Sequence, residues 1–255
     1  IMIVVDLGNT NIVIGFFVKS KLKKILRFET KKFKFNKILI LNIQKELKKY
    51  KFNKNYQLII LGSVVPRKNI EIKKIATNIN WKIIDIKGSN IILPLKIKFY
   101  PHNHIGADRI ANSVAAINYY SKNCIIVDFG TATTFDIIKN ETYIGGVITP
   151  GIELSNIILG QYAAKLKKIK IKKIKNIIGR NTLEAMQSGF YWGYTALIEG
   201  ILKKIITKER NYKPVIIFTG GLASTYSNEL NYKIIEDDKL TLRGLYHIGL
   251  SNVKS

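Results

Sequence analysis

The stretch MIVVDLGNT at residues 2–10 decides the fold, because an apolar run there ends on an aspartate, a glycine and two polar residues. It predicts a buried strand, a tight turn and a returning strand over residues 12–18. The stretch CIIVDFGTA at residues 124–132 repeats the pattern and is also followed by a returning strand, over residues 134–138. The same unit therefore occurs twice, about half a chain apart, which indicates a duplicated protein with two domains.

Strands and helices alternate around both copies, so the fold class is α/β. In the first half the pattern predicts helices over residues 37–50, 66–79 and 107–120, and strands over 57–65 and 81–86. In the second half it predicts helices over residues 152–166 and 181–206 and a strand over 214–218. We expect the boundary near residues 119–123, which gives domains 1–120 and 121–255.

The composition excludes several classes of protein. A chain of 255 residues that is 47% hydrophobic buries a full core, so disorder is excluded. No apolar run approaches the roughly 18 residues that a membrane span needs. A single cysteine, Cys124, forms no internal disulfide and suits a reducing compartment. We therefore expect a cytoplasmic protein without a membrane partner.

The net charge of +25 suggests a nucleic-acid surface, but the kind of basic residue argues against one. Only six of the 42 basic residues are arginine, whose bidentate fork is favoured for phosphate and base recognition. Lysine, isoleucine and asparagine share A/T-rich codons, so drift in an AT-rich genome gives the same composition. We expect no specific nucleic-acid partner.

The first aspartate-glycine turn has the residues of a phosphate site. Gly8 lets the backbone approach a ligand closely, and Asn9 and Thr10 can donate hydrogen bonds to phosphate oxygens. Asp6, at the strand end, can hold a hydrated Mg²⁺ that bridges phosphates. The alternative is that this sequence forms an ordinary hairpin turn.

The second copy supplies an equivalent carboxylate, Asp128, and an equivalent hydroxyl, Thr131. A third glycine-rich turn, Thr219–Gly221, follows a late strand. Three such turns resemble those of the actin, Hsp70 and sugar-kinase superfamily. That resemblance implies two duplicated ribonuclease-H-like domains with ATP bound in an interdomain cleft. The chain contains no G-x-x-x-x-G-K-[ST] motif, which excludes a P-loop kinase.

The sequence Gly106-Ala107-Asp108-Arg109 narrows the function. Asp108 lies in the first turn of the predicted helix, where its carboxylate can accept the proton of an attacking hydroxyl. Arg109 can bind a substrate carboxylate through two parallel hydrogen bonds. The alternative is that Asp108 only caps the helix and Arg109 is a surface residue.

The ordered series of motifs closely resembles the type III pantothenate kinase family over essentially the whole chain. The series is DLGNTN at 6–11, GADRIAN at 106–112, DFGTA at 128–132, GGVITPG at 145–151, GRNT at 179–182 and TGG at 219–221. The resemblance implies phosphorylation of pantothenate by ATP to 4′-phosphopantothenate, the first step of coenzyme A biosynthesis. It also implies a homodimer with its substrate pocket near the subunit interface.

The resemblance assigns roles to individual residues. The implied ATP-binding residues are Asp6, Leu7, Gly8, Asn9, Thr10, Asn11, Ile12, Val13 and Thr131. The implied pantothenate-binding residues are Phe99, Gly106, Ala107, Asp108, Arg109 and Thr182. Asp108 is the implied proton acceptor. The implied cofactors are Mg²⁺ with ATP and a monovalent cation, K⁺ or NH₄⁺, bound by Asp128.

One position departs from the family pattern, and one other function stays open. Where the family usually has a tyrosine seven residues before the glycine of G-A-D-R, this chain has Phe99, with Tyr100 beside it. Phe99 keeps an aromatic wall and loses a hydroxyl; alternatively Tyr100 takes the role. The family resemblance also includes transcriptional accessory factors, so a nucleotide-binding factor with weak or no kinase activity is the second hypothesis.

Overall fold

The structure is a computed structural model that describes residues 1–50, 57–163 and 166–253. The chain folds into two compact units. Unit 1 comprises Ile1–Tyr119 and Lys239–Ser255, and unit 2 comprises Tyr120–Asp238. Each unit is built on a mixed β-sheet with helices, which confirms the predicted α/β class.

The strands are β1 Met2–Leu7, β2 Asn11–Val18, β3 Lys21–Glu29, β4 Leu58–Ser63, β5 Lys82–Asp85, β6 Lys96–Ile97, β7 Cys124–Phe129, β8 Ala132–Lys139, β9 Thr142–Pro150, β10 Val215–Gly220 and β11 Ile234–Glu236. The helices are α1 Lys37–Lys48, α2 Asn69–Ile79, α3 Ala107–Tyr119, α4 Ile152–Tyr162, α5 Thr182–Ser188, α6 Tyr194–Lys208, α7 Ala223–Tyr226 and α8 Leu240–Val253.

The two units repeat one sheet topology. In unit 1 the strands lie in the order β3-β2-β1-β4-β5, and in unit 2 the order β9-β8-β7-β10-β11 is its counterpart. In both, the first three strands form an antiparallel meander and the last two run parallel to the first. The duplication inferred from the two aspartate-glycine turns is therefore a duplication of the whole sheet.

The central strand of unit 1 is buried on both faces, which explains its continuous apolar sequence. Ile3 and Val5 pack in the core that includes residues of α1 and α2. Met2 and Val4 point to the opposite face, which α8 covers. Because side chains alternate along a strand, Asp6 lies on the same face as Met2 and Val4.

The last helix corrects the predicted domain boundary. The prediction places residues 121–255 in one domain, whereas α8 packs on α3, β1 and β4 of unit 1. Two glycines allow this packing: a Cβ on Gly244 would lie 1.8 Å from the carbonyl oxygen of Ala111, and one on Gly249 would lie 2.4 Å from the sulfur of Met2. The hydroxyl of Thr241 also donates to Asn112 Oδ1 at 2.8 Å.

Two predicted helices are shorter than expected. The helix predicted over 152–166 ends at Tyr162 as α4, and residues 164–165 lie outside the described residues. The helix predicted over 181–206 is interrupted by a π-helical turn at Gly189–Gly193, between α5 and α6. A glycine at each end of this turn lowers the local α-helix propensity.

Among the described residues, no helix is both long enough and apolar enough to cross a membrane.

Candidate active site

The turn between β1 and β2 is closed and fixed by its own backbone. The amide of Gly8 donates to the carbonyl oxygen of Asn11 at 3.0 Å, and a Cβ on Gly8 would lie 3.1 Å from that oxygen. Thr30 links the turn to the end of β3: its amide donates to Thr10 O at 2.9 Å and its hydroxyl to Gly8 O at 2.7 Å. Thr30 is 4% exposed and is absent from the residues that the sequence predicts for the site.

The predicted ATP-binding segment contains two kinds of residue. Leu7, Ile12 and Val13 are buried core side chains, so only their backbone can face a ligand. Asn9 and Thr10 are exposed at the tip of the turn, where their side chains and amides can meet phosphate oxygens. Gly8 and Asn11, which close the turn, and Asp6, at the end of β1, are partly exposed.

The corresponding turn of unit 2, at residues 128–131, packs closely against the backbone of two glycines. A Cβ on Gly151 would lie 2.2 Å from Thr131 O, and one on Gly220 would lie 2.7 Å from Phe129 N. Gly220 also has a φ of 91°, a conformation that residues with a side chain rarely adopt. Glycine is therefore needed at both positions, since any larger residue would displace the Asp128–Thr131 turn.

A pocket of about 160 Å³ opens beside this turn in unit 2. Its lining residues come from the turn, from the start of α4 and from the end of β10; they are Phe129, Gly130, Thr133, Ile152, Glu153, Gly221 and Leu222. Nothing lies within 4 Å of a Cβ placed on Gly221, so the missing side chain leaves that space open. The volume suits a fragment of a nucleotide rather than a whole one.

The predicted cation ligand, Asp128, is partly exposed at the end of β7, and Thr131 is exposed in the turn. In the part of the chain that the structure describes, no group of three or more His, Cys, Asp or Glu residues could hold a metal ion. A Cβ on Gly220 would lie 2.7 Å from Phe129 O and 2.8 Å from Asp128 Oδ1, so a carbonyl and a carboxylate oxygen lie around the same point. Oxygen donors of this kind fit K⁺ and Mg²⁺ and do not favour softer metals.

Asp108 is held in place by the start of α3. Its Oδ1 accepts a hydrogen bond from the amide of Arg109 at 2.8 Å, and Gly106 O accepts the first helical bond, from the amide of Ile110, at 3.1 Å. A Cβ on Gly106 would lie 2.4 Å from Asp108 Oδ1, so only glycine leaves room for this carboxylate. The motif therefore fixes the orientation of the acid as well as its position.

Burial raises the pKa of Asp108 above its usual range, while the hydrogen bond from the Arg109 amide, the Arg109 charge and the Lys87 charge lower it. A carboxyl with a raised pKa is a stronger base than an exposed aspartate. Arg109 itself is only 8% exposed. Asp108 is partly exposed, so a buried cation acts on a carboxyl that solvent still reaches.

The remaining predicted residues differ widely in exposure. Ala107 is buried beside Asp108, and Phe99 is partly buried, whereas Tyr100 is 89% exposed. Thr182 is exposed at the first position of α5, next to Asn181, which caps the helix by accepting from the amide of Glu184 at 3.0 Å. Unit 1 thus brings together Gly106, Ala107, Asp108 and Arg109, while Thr182 belongs to unit 2.

Sequence reasoning missed Lys87, whose amino group contacts the loop just before Gly106. It lies 2.7 Å from Asn103 O and 2.6 Å from Ile105 O. Among so many lysines no composition or spacing signal distinguishes it. Thr30 was missed because its role depends on the pairing of β2 with β3, and the only sequence signal was its place at the end of a predicted strand.

Comparison with known proteins gives the family. The sequence profile described as type III pantothenate kinase matches residues 2–204, which is most of the chain. A Campylobacter jejuni protein assigned to the Baf family of transcriptional activators has a similar structure, with a TM-score of 0.62 and 23% identity over 99% of this chain and 100% of that one.

Two further solved structures share the fold at lower identity. A Sinorhizobium meliloti protein assigned as a 2-dehydro-3-deoxygalactonokinase has a TM-score of 0.56 at 11% identity, covering 99% of each chain. Component A of the (R)-2-hydroxyglutaryl-CoA dehydratase of Acidaminococcus fermentans has a TM-score of 0.55 at 10% identity, covering 99% of this chain and 97% of that one. The chain belongs to the type III pantothenate kinase family, and its paired mixed sheets have the fold of the actin, Hsp70 and sugar-kinase superfamily.

Proposed function

We propose that this member of a kinase family transfers the γ-phosphate of ATP to the primary hydroxyl of pantothenate and so makes 4′-phosphopantothenate for coenzyme A biosynthesis. The observation that carries the proposal is the placement of Asp108. It is a partly buried carboxyl at the start of α3, with room made by Gly106, and the charge of the buried Arg109 acts on it. This is the acid–base and anion-binding pair that phosphorylation of a hydroxy acid requires.

In the proposed reaction Asp108 accepts the proton of the pantothenate hydroxyl as its oxygen attacks the γ-phosphorus. The new O–P bond forms while the bond to the β,γ-bridging oxygen breaks, and ADP leaves with that electron pair. Arg109 binds the pantothenate carboxylate and so orients the hydroxyl toward the phosphorus. Positioning and charge stabilisation, rather than covalent chemistry, supply the rate.

The two aspartate-glycine turns supply the ATP-binding residues of the proposal. The exposed amides and side chains of Asn9 and Thr10, and the hydroxyl of Thr131, donate to phosphate oxygens. Asp6 would hold Mg²⁺, which supplies positive charge to the β- and γ-phosphates when bound. Asp128 would hold K⁺ or NH₄⁺, and the oxygen donors of its turn fit either cation.

Pantothenate is held in the proposal by the Gly106–Arg109 segment, by Phe99 and by Thr182. The partial burial of Phe99 and the 89% exposure of Tyr100 support Phe99 as the aromatic wall. The cytoplasmic location, supported by the single buried cysteine, is also part of the proposal.

The proposal includes a homodimer, and the surface of α4 supports it. Several apolar side chains of this helix are exposed: Leu154, Ile157, Ile158, Leu159 and Tyr162. Tyr162 is 86% exposed. An apolar helix face of this kind is typical of a protein–protein contact. Light scattering should give twice the mass of one chain, and Ile158→Asp should lower the measured mass.

The alternative is a nucleotide-binding transcriptional factor with weak or no kinase activity. It is supported by the family name of the Campylobacter jejuni protein and by the net charge. The enclosed Asp108 and Arg109 favour the kinase, because a factor that only binds nucleotide needs no base beside an anion-binding residue. A DNA titration at several salt concentrations separates the two: sequence preference supports the factor, and weak non-specific binding supports the kinase.

The test of substrate identity is a panel of acceptor alcohols assayed with ATP and Mg²⁺. Pantothenate should be phosphorylated with a far higher kcat/KM than pantetheine, glycerol or a hexose. Pantetheine is the sharp comparison, because it keeps the hydroxyl and lacks the carboxylate that Arg109 binds. Equal rates with both would contradict the assignment of Arg109, and preference for a hexose would contradict the proposed function.

A further inference from the structure

Lys87 follows the edge strand β5 of unit 1, in a turn that Asp85 fixes. The amide of Lys87 donates to Asp85 Oδ1 at 3.0 Å, and the amide of Gly88 donates to Asp85 O at 2.9 Å. The side chain of Asn69 lies 3.4 Å from Asp85 Oδ2. These contacts hold the backbone at Lys87, so the direction in which its side chain leaves the strand is determined.

The amino group of Lys87 contacts the loop that leads into α3. It donates to Asn103 O at 2.7 Å and to Ile105 O at 2.6 Å. Ile105 is 1% exposed and anchors the loop in the core, and Gly106 follows directly. A charged donor that joins two carbonyls of the same loop restrains it more strongly than a neutral donor would.

The charges around this contact couple Lys87 to Asp108. Burial lowers the pKa of Lys87, while the charges of Asp85 and Asp108 raise it. In the other direction, Lys87 and Arg109 are the positive charges that lower the pKa of Asp108 against the effect of burial. The charge of Lys87 therefore acts on the Asp108 carboxyl in addition to the contact that its amino group makes with the loop.

We propose that Lys87 is a positioning residue of the phosphoryl transfer: its amino group holds the carbonyls of Asn103 and Ile105 and thereby fixes the Gly106–Arg109 segment, which carries the Asp108 carboxyl. The proposal rests on the proposed function only where Asp108 is taken as the proton acceptor. The restraint on the segment and the coupling to Asp108 are properties of the folded protein without substrate.

A lysine on the surface of a chain so rich in lysine could also be without consequence, and Lys82 provides the control. It lies at the start of the same strand, β5, and is exposed. Replacing Lys87 by methionine keeps the apolar stem and removes the charge and both hydrogen bonds. Replacing it by arginine keeps the charge and changes the donor geometry. The K82M protein measures what the loss of an ordinary lysine does to the same strand.

The deciding experiment is titration of the Asp108 side-chain carboxyl by NMR of protein labelled with carbon-13 at the aspartate carboxyls. The chain has seven aspartates, so the signals are few, and the Asp108→Asn protein identifies the one of interest. K87M should move the midpoint of Asp108 to higher pH, K87R should leave it near that of the unsubstituted protein, and K82M should not change it. A midpoint unchanged in K87M would overturn the proposal.

The unsubstituted protein supplies a second readout in case K87M does not fold. As pH rises, Lys87 should lose its proton below the usual range of lysine, and the Asp108 carbon signal should then show a second, smaller step. K82M should keep this step. Its absence from the unsubstituted protein would overturn the coupling whatever the variants do.

Kinetics then separates this inference from the proposed function. K87M should lower kcat/KM for pantothenate by roughly tenfold to a hundredfold, with KM for ATP nearly unchanged and the loss greater at low pH. K87R should recover part of it. If the protein phosphorylates no pantothenate while K87M still shifts Asp108, the proposed function fails and the positioning contact stands. If pantothenate is phosphorylated equally by K87M and K82M, the positioning role fails alone.

Discussion

The carboxylate of Asp108 occupies the space that a side chain at position 106 would need: a Cβ on Gly106 would lie 2.4 Å from Asp108 Oδ1. The same oxygen accepts a hydrogen bond from the amide of Arg109 at 2.8 Å, so the carboxylate lies against the backbone at the start of α3. The glycine of the G-A-D-R sequence is therefore required by the position of the acid.

Gly106→Ala should inactivate the enzyme without unfolding it. The added methyl group meets the end of a side chain, which can rotate away, and not rigid backbone. We expect a change in the free energy of unfolding of less than about 1 kcal/mol and a loss of kcat of roughly a hundredfold, because the base is displaced. Thermal melts and steady-state assays check both, with Gly200→Ala in α6 as the control. Full activity in Gly106→Ala would contradict the assigned orientation of Asp108.

Asp108→Asn should not lower stability at neutral pH. Burial raises the pKa of Asp108 in the folded protein, so the stability linked to this group is complete below the pKa of the unfolded chain and is lost as pH rises through the folded pKa. The ionised carboxyl is therefore less favourable in the folded protein than in the unfolded chain, and asparagine removes that cost. Urea unfolding at pH 7 and pH 4 checks this. The difference in the free energy of unfolding between the variant and the unsubstituted protein should favour the variant more at pH 7 than at pH 4. A variant clearly less stable at pH 7 would show that the charge stabilises the fold.

Gly244→Ala should destabilise the protein by about 1–3 kcal/mol. Its Cβ would lie 1.8 Å from Ala111 O, and that contact involves backbone of α3, which cannot move without separating the helices. Gly200→Ala is the matched control, since nothing lies within 4 Å of its Cβ. There the gain in helix propensity should stabilise the protein by roughly 0.5–1 kcal/mol. Equal effects of the two substitutions in chemical denaturation would contradict the packing of α8 on α3.

Cys124 should resist thiol reagents in the native protein. Burial raises the pKa of its thiol to about 12, and the thiol donates to Ser121 O at 3.1 Å. At neutral pH it therefore has about a thousandfold less thiolate than an unperturbed cysteine. Labelling with a disulfide reagent should be slow until denaturant is added and then rapid. Fast labelling of the folded protein would show that the start of β7 opens.

The strands could be predicted because the signal for a strand lies in its own residues. The sheet against which the last helix packs could not be predicted in this way. Met2–Leu7 and Cys124–Phe129 are continuous apolar runs, as central strands covered on both faces must be. Nothing in the sequence of α8 says which sheet it covers, and its packing depends on the close approach of Gly244 to a distant helix. A prediction from adjacency alone therefore placed it in the wrong domain.

The same distinction separates the site residues that were predicted from those that were missed. Asp108 and Gly106 lie in one short motif, where spacing along the chain corresponds to proximity. Lys87 reaches the loop before Gly106 from a neighbouring element, and Thr30 reaches the Gly8 turn from the end of β3. Contacts of this kind are set by the register of the sheet and the geometry of one turn. Sequence spacing does not contain that information.

Phosphorus NMR of pantothenate mixed with ATP, Mg²⁺ and K⁺ tests the proposed kinase activity most directly, with the unsubstituted and Asp108→Asn proteins measured side by side. We expect the unsubstituted protein to form 4′-phosphopantothenate and ADP in equal amounts. Removal of K⁺ should slow the reaction, and Asp108→Asn, although folded, should be slower by roughly a hundredfold or more. Absence of a phosphopantothenate signal from the unsubstituted protein, or its formation at a similar rate by Asp108→Asn, would contradict the proposed kinase mechanism.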